Sequence, residues 1–159
     1  MKIDPHALEI SNLKRREIQA HFFAYLIRGY IHELGYEKAI ELASSAIQED
    51  AMQAGRRMAE KYNGNTFSEL LRMVREVWAE GNSLKFDILE KTRQTLSFNV
   101  TRCCYAELYD RLGMQEYGFC LSCNRDESLI RGFNPRMKLL RNQTIMQGAK
   151  ICDFRIIIE

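Results

Sequence analysis

The chain has 159 residues, 46% of them apolar and 28% charged, with a mean hydropathy of -0.34. That length suits a single domain over 1–159, and that composition excludes disordered and collagen-like chains. Lys and Arg number 23 against 21 Asp and Glu, a net charge of +2, so no basic footprint for nucleic acid is present. The triplet Lys14-Arg15-Arg16, flanked by Glu9 and Glu17, reads as a solvated helix face. No apolar run approaches the roughly 20 residues of a spanning helix and no signal segment precedes the first helix, so a cytoplasmic protein without membrane contact is expected.

Residues 1–82 read as helical. Asp4-Pro5 has the form of a helix start, and Ile18, Phe22, Tyr25, Leu26 and Gly29 then recur at helical spacing until Gly35 breaks the run. Next, Ile40, Ala43, Ile47, Ala51, Ala54 and Met58 form a narrow stripe of mostly small residues, which permits close helix contact, and Asn63-Gly64 ends it. Thr66 and Glu69 have capping-box spacing ahead of Leu70, Val74, Val77 and Trp78, with Gly81-Asn82 as the stop. The N-terminal helices either pack on a sheet or mediate a homodimer.

From Ser83 the apolar period changes to two. Leu84, Phe86 and Ile88, then Leu96, Phe98 and Val100, alternate with polar residues around a turn at 91–94, which predicts a hairpin. Tyr105, Leu108, Tyr109 and Leu112 return to helical spacing, and a further helix is expected over about 115–131, closed by Gly132-Phe133-Asn134-Pro135. A second hairpin should pair 138–146 with 151–158 about Gly148. The predicted class is therefore α+β: N-terminal helices packed with an antiparallel sheet built from two hairpins joined by helices.

Five cysteines, Cys103, Cys104, Cys120, Cys123 and Cys152, all lie beyond residue 102. An odd number without a secretory signal predicts reduced thiols and no structural disulfide. Such thiols are core residues, metal ligands or nucleophiles. Cys152 shares a strand face with Phe154, Ile156 and Ile158, as a core residue would. Cys104, four residues before Leu108, is the better core candidate of its pair. Cys120-x-x-Cys123 would place two sulfurs one helical turn apart, and Asp126, three residues after Cys123, would share its face. His21 and His32 lie on a helix without a metal signature and read as exposed. Arg102, Arg141 and Arg155 sit in or beside predicted strands, where guanidinium groups pair with carboxylates such as Asp153 or receive an anion. There is no phosphate loop, serine elbow or dinucleotide fingerprint, so no nucleotide cofactor is expected.

Asn99-Val-Thr-Arg-Cys103, Tyr105-Ala-Glu-Leu-Tyr109 with Leu112-Gly113, Leu121-Ser-Cys-Asn-Arg-Asp126, Gly132-Phe-Asn-Pro135, Arg141-Asn-Gln-Thr-Ile-Met146, and Gly148 with Cys152-Asp-Phe-Arg155 stand in a fixed order. This ordered set resembles the L-2-amino-thiazoline-4-carboxylic acid hydrolase family. The resemblance implies hydrolytic opening of a small sulfur-containing ring that bears an amidine-like carbon and a carboxylate. It marks Cys103, Cys123, Asp126 and Cys152 as motif positions, and leaves out Cys104 and Cys120. The family often has His before the last cysteine, where this chain has Ile151.

That chemistry needs a nucleophile, a proton carrier and a cation for the substrate carboxylate. In one version zinc is held by Cys103, Cys123 and Cys152, with Asp126 as fourth ligand or as base for bound water. In the other, the thiolate of Cys123 or Cys103 attacks and Asp126 handles the proton. Arg102 or Arg141, with Asn99, would hold the small-molecule carboxylate. Both versions require Cys103, Cys123 and Cys152 to converge, which pairing of the two hairpins in one sheet would achieve. A non-catalytic alternative is a module binding a small molecule or a metal, resembling the ligand-binding domains related to vinyl reductases.

Overall fold

The computed structural model describes residues 10–159, so the Asp4-Pro5 helix start lies outside the described residues. Within them, Ser11 opens the first helix, its side chain accepting from the Lys14 amide, and α1 runs Asn12–Leu34. Gly35, at φ 80, separates it from α2, Tyr36–Lys61; a side chain would be strained at that dihedral. The Thr66/Glu69 capping box starts α3, Phe67–Met73, which runs on into a π-helical turn, Val74–Trp78. The first hairpin is β1, Leu84–Lys91, with β2, Thr95–Cys103. Then come α4, Cys104–Arg111, and α5, Gln115–Gly118; a second π-helical turn, Phe119–Cys123, leads into α6, Arg125–Phe133. The chain ends with β3, Met137–Leu140, and β4, Cys152–Ile158. The single helix expected over 115–131 is thus two helices joined through a widened turn.

All strand pairs are antiparallel in the order β1-β2-β4-β3, so β2 and β4 join the two hairpins at the centre of the sheet. Leu96, Phe98 and Val100 of β2 and Cys152, Phe154 and Ile156 of β4 share one face and pack with α2, α3 and α6 in the larger core. Phe98 and Phe154, paired in register, stack at 4.7 Å. The fold class is α+β, with the N-terminal helices on the sheet.

Strand β3 is shorter than the expected 138–146. After Leu140 the chain leaves the ladder, because Asp153 accepts hydrogen bonds from the Asn142 and Gln143 amides (3.1 and 2.9 Å) and Thr144 caps a short 3₁₀ turn, Ile145–Gln147. These bonds replace the ladder partners of residues 142–144 and release Arg141 from the strand.

The small stripe of α2 makes the close contact its residues suggest. Ala39, Ala43, Ile47, Ala51 and Gly55 are buried, and α2 crosses α6 with Gly55 and Gly132 at the seam. A Cβ at Gly55 would run into the Leu129 carbonyl oxygen, and one at Gly132 into the Met52 carbonyl oxygen. The apolar face predicted for α1 is a different matter. Phe22 and Tyr25 are 64% and 73% exposed, Ile18 and Leu26 are also exposed, and it is Ala20, Ala24 and Ile27 that are buried. They pack with Ala43 and Ile47 of α2 and with Tyr109, Tyr117 and Cys120 in a second core cluster. Two helices that approach through alanine faces leave the bulky face of α1 outside.

Candidate active site

Between the sheet, α6 and the N-terminal turn of α1 lies a cavity of about 60 Å³, well above the ~10–15 Å³ needed to admit a single water. Cys103, Cys123, Cys152, Asp126 and Arg141 all line it, together with Arg16, Arg125 and Trp78. The three motif cysteines therefore converge, as pairing of the two hairpins requires. All five cysteines are free thiols.

A β-bulge aims Cys103. Lys85 pairs with Arg102 but Phe86 with Val100, so Thr101 is the extra residue and the alternation of β2 flips after it. Cys103 consequently shares the cavity face with Val100, and Arg102 turns outward. Cys103 precedes α4, whose Ala106 and Tyr105 amides pull its pKa down, but burial is the larger influence and pushes the thiol up to about 12. Cys123 closes the π-helical turn; burial, then the neighbouring Asp126 charge, raise its pKa, with Arg141 opposing. In an i→i+5 turn, residues three apart no longer share a face. Cys120 accordingly points into the second cluster, 3.3 Å from the Ser44 hydroxyl, rather than beside Cys123. Cys152 accepts a hydrogen bond from the Ile145 amide at 3.2 Å, and burial raises its pKa too. Cys104, the expected core thiol, is only half-buried at the start of α4, 3.8 Å from the Asn82 carbonyl oxygen.

Asp126 lies on the first turn of α6 and is paired with Arg141. Burial raises the pKa of Asp126, with the Arg141 charge and hydrogen bond working against it. The second guanidinium nitrogen of Arg141 donates to the Cys123 carbonyl oxygen at 3.0 Å, and its plane lies 5.0 Å from the Phe154 ring. Arg141 thus ties the Cys123 turn to Asp126 through two of its nitrogens. Among the described residues no three His, Cys, Asp or Glu side chains are placed to hold a metal ion. The expected zinc set of Cys103, Cys123, Cys152 and Asp126 lines one cavity without drawing together into such a group; Asp126 is paired with Arg141 and Cys152 accepts from the Ile145 amide.

Two of the expected carboxylate binders lie outside the cavity. Arg102 is exposed and paired with Glu107 at 2.8 and 3.0 Å. Asn99 is on the opposite sheet face, where its side-chain oxygen accepts from Arg155 at 2.8 Å. The residues missed are Arg16 and Arg125. Arg16, counted with the solvated triplet, lines the cavity, and Arg125 is only 7% exposed. The neighbour of a motif aspartate could have been suspected; nothing local marks Arg16. No helix among the described residues is long and apolar enough to cross a membrane.

Comparison with curated proteins gives no match. Among solved structures the chain is similar to a trafficking protein particle complex subunit 3 from Naegleria fowleri covalently bound to palmitic acid. The TM-score is 0.55 at 9% identity, over 91% of this chain and 95% of that one, a likeness of fold alone. The sequence matches the model of the L-2-amino-thiazoline-4-carboxylic acid hydrolase family over residues 15–156, a span that takes in the N-terminal helices as well as every cavity-lining cysteine. The chain belongs to the L-2-amino-thiazoline-4-carboxylic acid hydrolase family.

Proposed function

We propose that this protein hydrolyses a small cyclic thiazoline carboxylate, with Cys103 as nucleophile and Asp126 as proton acceptor. The observation that carries the reading is the meeting of Cys103, Cys123, Cys152 and Asp126 in one small cavity. Cys103 is preferred over Cys123 because the amides at the start of α4 face its sulfur and would stabilise the thiolate as it forms. A buried carboxylate with a raised pKa is the better base for a thiol that is neutral at rest. The Cys103 proton passes to Asp126 as the sulfur bonds the carbon between the ring nitrogen and sulfur. The ring carbon–sulfur bond breaks, and the departing thiolate takes a proton. Water then attacks the same carbon and releases Cys103, leaving an N-carbamoyl cysteine. Arg141 acts through Asp126 and the Cys123 turn, as a positioning residue.

The test is incubation of the reduced protein with L-2-amino-thiazoline-4-carboxylate, followed by detection of a new thiol and of a product heavier by one water. Turnover by the parent and its loss in Cys103→Ser, with the fold intact, are expected. Turnover by Cys103→Ser would move the nucleophile to Cys123, and no turnover by the parent would overturn the hydrolase reading. A binding module is the second reading. The raised thiols favour it, as does the likeness in fold to a protein carrying palmitic acid, although about 60 Å³ suits a small ring better than a long acyl chain. A homodimer would use the exposed face of α1; sedimentation of Phe22→Ser/Tyr25→Ser against the parent tests it.

A further inference from the structure

Beside the cavity lies a second space of about 90 Å³ that shares Asn12, Arg16, Trp78, Arg125 and Leu129 with it. Its charges are unbalanced. Arg15, Arg16, Arg57 and Arg125 line it, and Asp50 is the carboxylate among its lining residues; Asp126, in the adjoining cavity, also interacts with the charges of Arg125 and Arg16. Arg125 gives one nitrogen to Asp50, whose own side chain is more than half exposed. The buried Nε–H groups of Arg125 and Arg57 meet no acceptor among the described residues. Arg16 donates to Gln19 at 2.7 Å; burial and the charge of Arg125 lower its pKa to about 10. Guanidinium groups that repel one another, with N–H groups left without acceptors, offer a place for a further anion. A buried donor is costly to leave unpaired, and a planar carboxylate matches the guanidinium fork.

We propose that Arg16 and Arg125 form the subsite for the ligand's carboxylate, at the edge of the cavity that holds the thiols and Asp126. Arg125 and Asp126 are adjacent on α6, so one helical turn presents the anion anchor and the proton acceptor together. A small ring with a carboxylate on the carbon next to its nitrogen would place the acid on the arginines and its remaining ring atoms toward the cysteines. The arginine geometry sets the charge of the ligand; its identity as a thiazoline rests on the hydrolase reading.

The test uses L-thiazolidine-4-carboxylate, which lacks the reactive amidine carbon, and its carboxamide, measured by equilibrium dialysis against the parent, Arg16→Gln and Arg125→Lys. The carboxylate should bind the parent at least about tenfold more tightly than the amide. Arg16→Gln should remove about that factor for the carboxylate alone, since hydrogen bonds to charged groups are among the stronger ones. Should Arg125→Lys fail to fold, Arg16→Gln still decides, because the bond to Gln19 is local to α1. Equal binding of acid and amide, no carboxylate binding by about 10 mM, or an Arg16→Gln affinity within twofold of the parent would overturn the subsite. Arginine-dependent binding without turnover of the thiazoline would leave the subsite standing and remove the hydrolase reading. Turnover with an unchanged KM in Arg16→Gln would do the reverse.

Discussion

Gly132→Ala separates what helix propensity predicts from what the packing predicts, because the two differ in sign. Propensity alone makes the change stabilising by about 1 kcal/mol. At Gly132, however, the new methyl meets the Met52 carbonyl oxygen, carbon and Cα across the α2–α6 seam. Backbone cannot turn aside as a side chain can, so the helices must separate. Overpacking of this kind costs about 1–3 kcal/mol or more, and here the seam also carries Ala51, Leu129 and Phe133 of the main core. Because the clash is with backbone, the upper half of that range applies, about 2–3 kcal/mol, and the net expectation is a loss of about 1–2 kcal/mol after the propensity gain. Urea unfolding followed by the one tryptophan, buried Trp78, should show the midpoint fall by roughly 0.5–1 M at a slope of ~2 kcal/mol/M. Gly29→Ala is the control. Gly29 lies within α1 with nothing within 4 Å of a Cβ, and that variant should gain about 0.5–1 kcal/mol. A Gly132→Ala midpoint equal to or above the parent's would refute the seam. Because α6 also carries Arg125 and Asp126, the same variant should lose ligand affinity.

Asp126→Asn leaves the Arg141 guanidinium buried without its counter-charge; since Asp126 is itself one-fifth exposed, the loss should fall near or below the lower end of the ~3–5 kcal/mol seen when buried pairs are broken. Adding Arg141→Met should recover part of it, and a single variant as stable as the parent would contradict the pairing. Stability should fall as pH rises above 9. The unfolded Cys103 thiol ionises near its ordinary 9, while the folded one holds its proton to about 12, so the unfolded state binds fewer protons in that window and gains by about 1.4 kcal/mol per pH unit. Urea midpoints from about pH 8 to pH 10 measure this, and a slope identical in Cys103→Ser would argue against it. Arg102→Gln and Asn99→Ala should leave carboxylate binding unchanged, since neither side chain reaches the cavity; a tenfold loss in either would return the anion site to the sheet.

Where the controlling chemistry is local, the sequence determined the outcome. Gly35 and Gly81 break helices because they take up positive φ values that side chains rarely adopt, the Thr66/Glu69 box starts α3, and period-two alternation puts Phe98 and Phe154 on one face. Convergence of Cys103, Cys123 and Cys152 also followed, because two hairpins sharing a sheet leave few other arrangements. The orientation of individual side chains did not. The bulge at Thr101 sends Cys103 inward and Arg102 outward, the π-helical turn parts Cys120 from Cys123, and the hydrogen bonds of Asp153 shorten β3 and free Arg141. Each depends on partners many residues away. The bulky and small faces of α1 have the same period, so only the alanines of α2 decide which is buried. Arg16 looks no different from Lys14 in sequence; what distinguishes it is that α6 and Trp78 come together beside it, and burial in tertiary contact is what turns a surface arginine into half of an anion site.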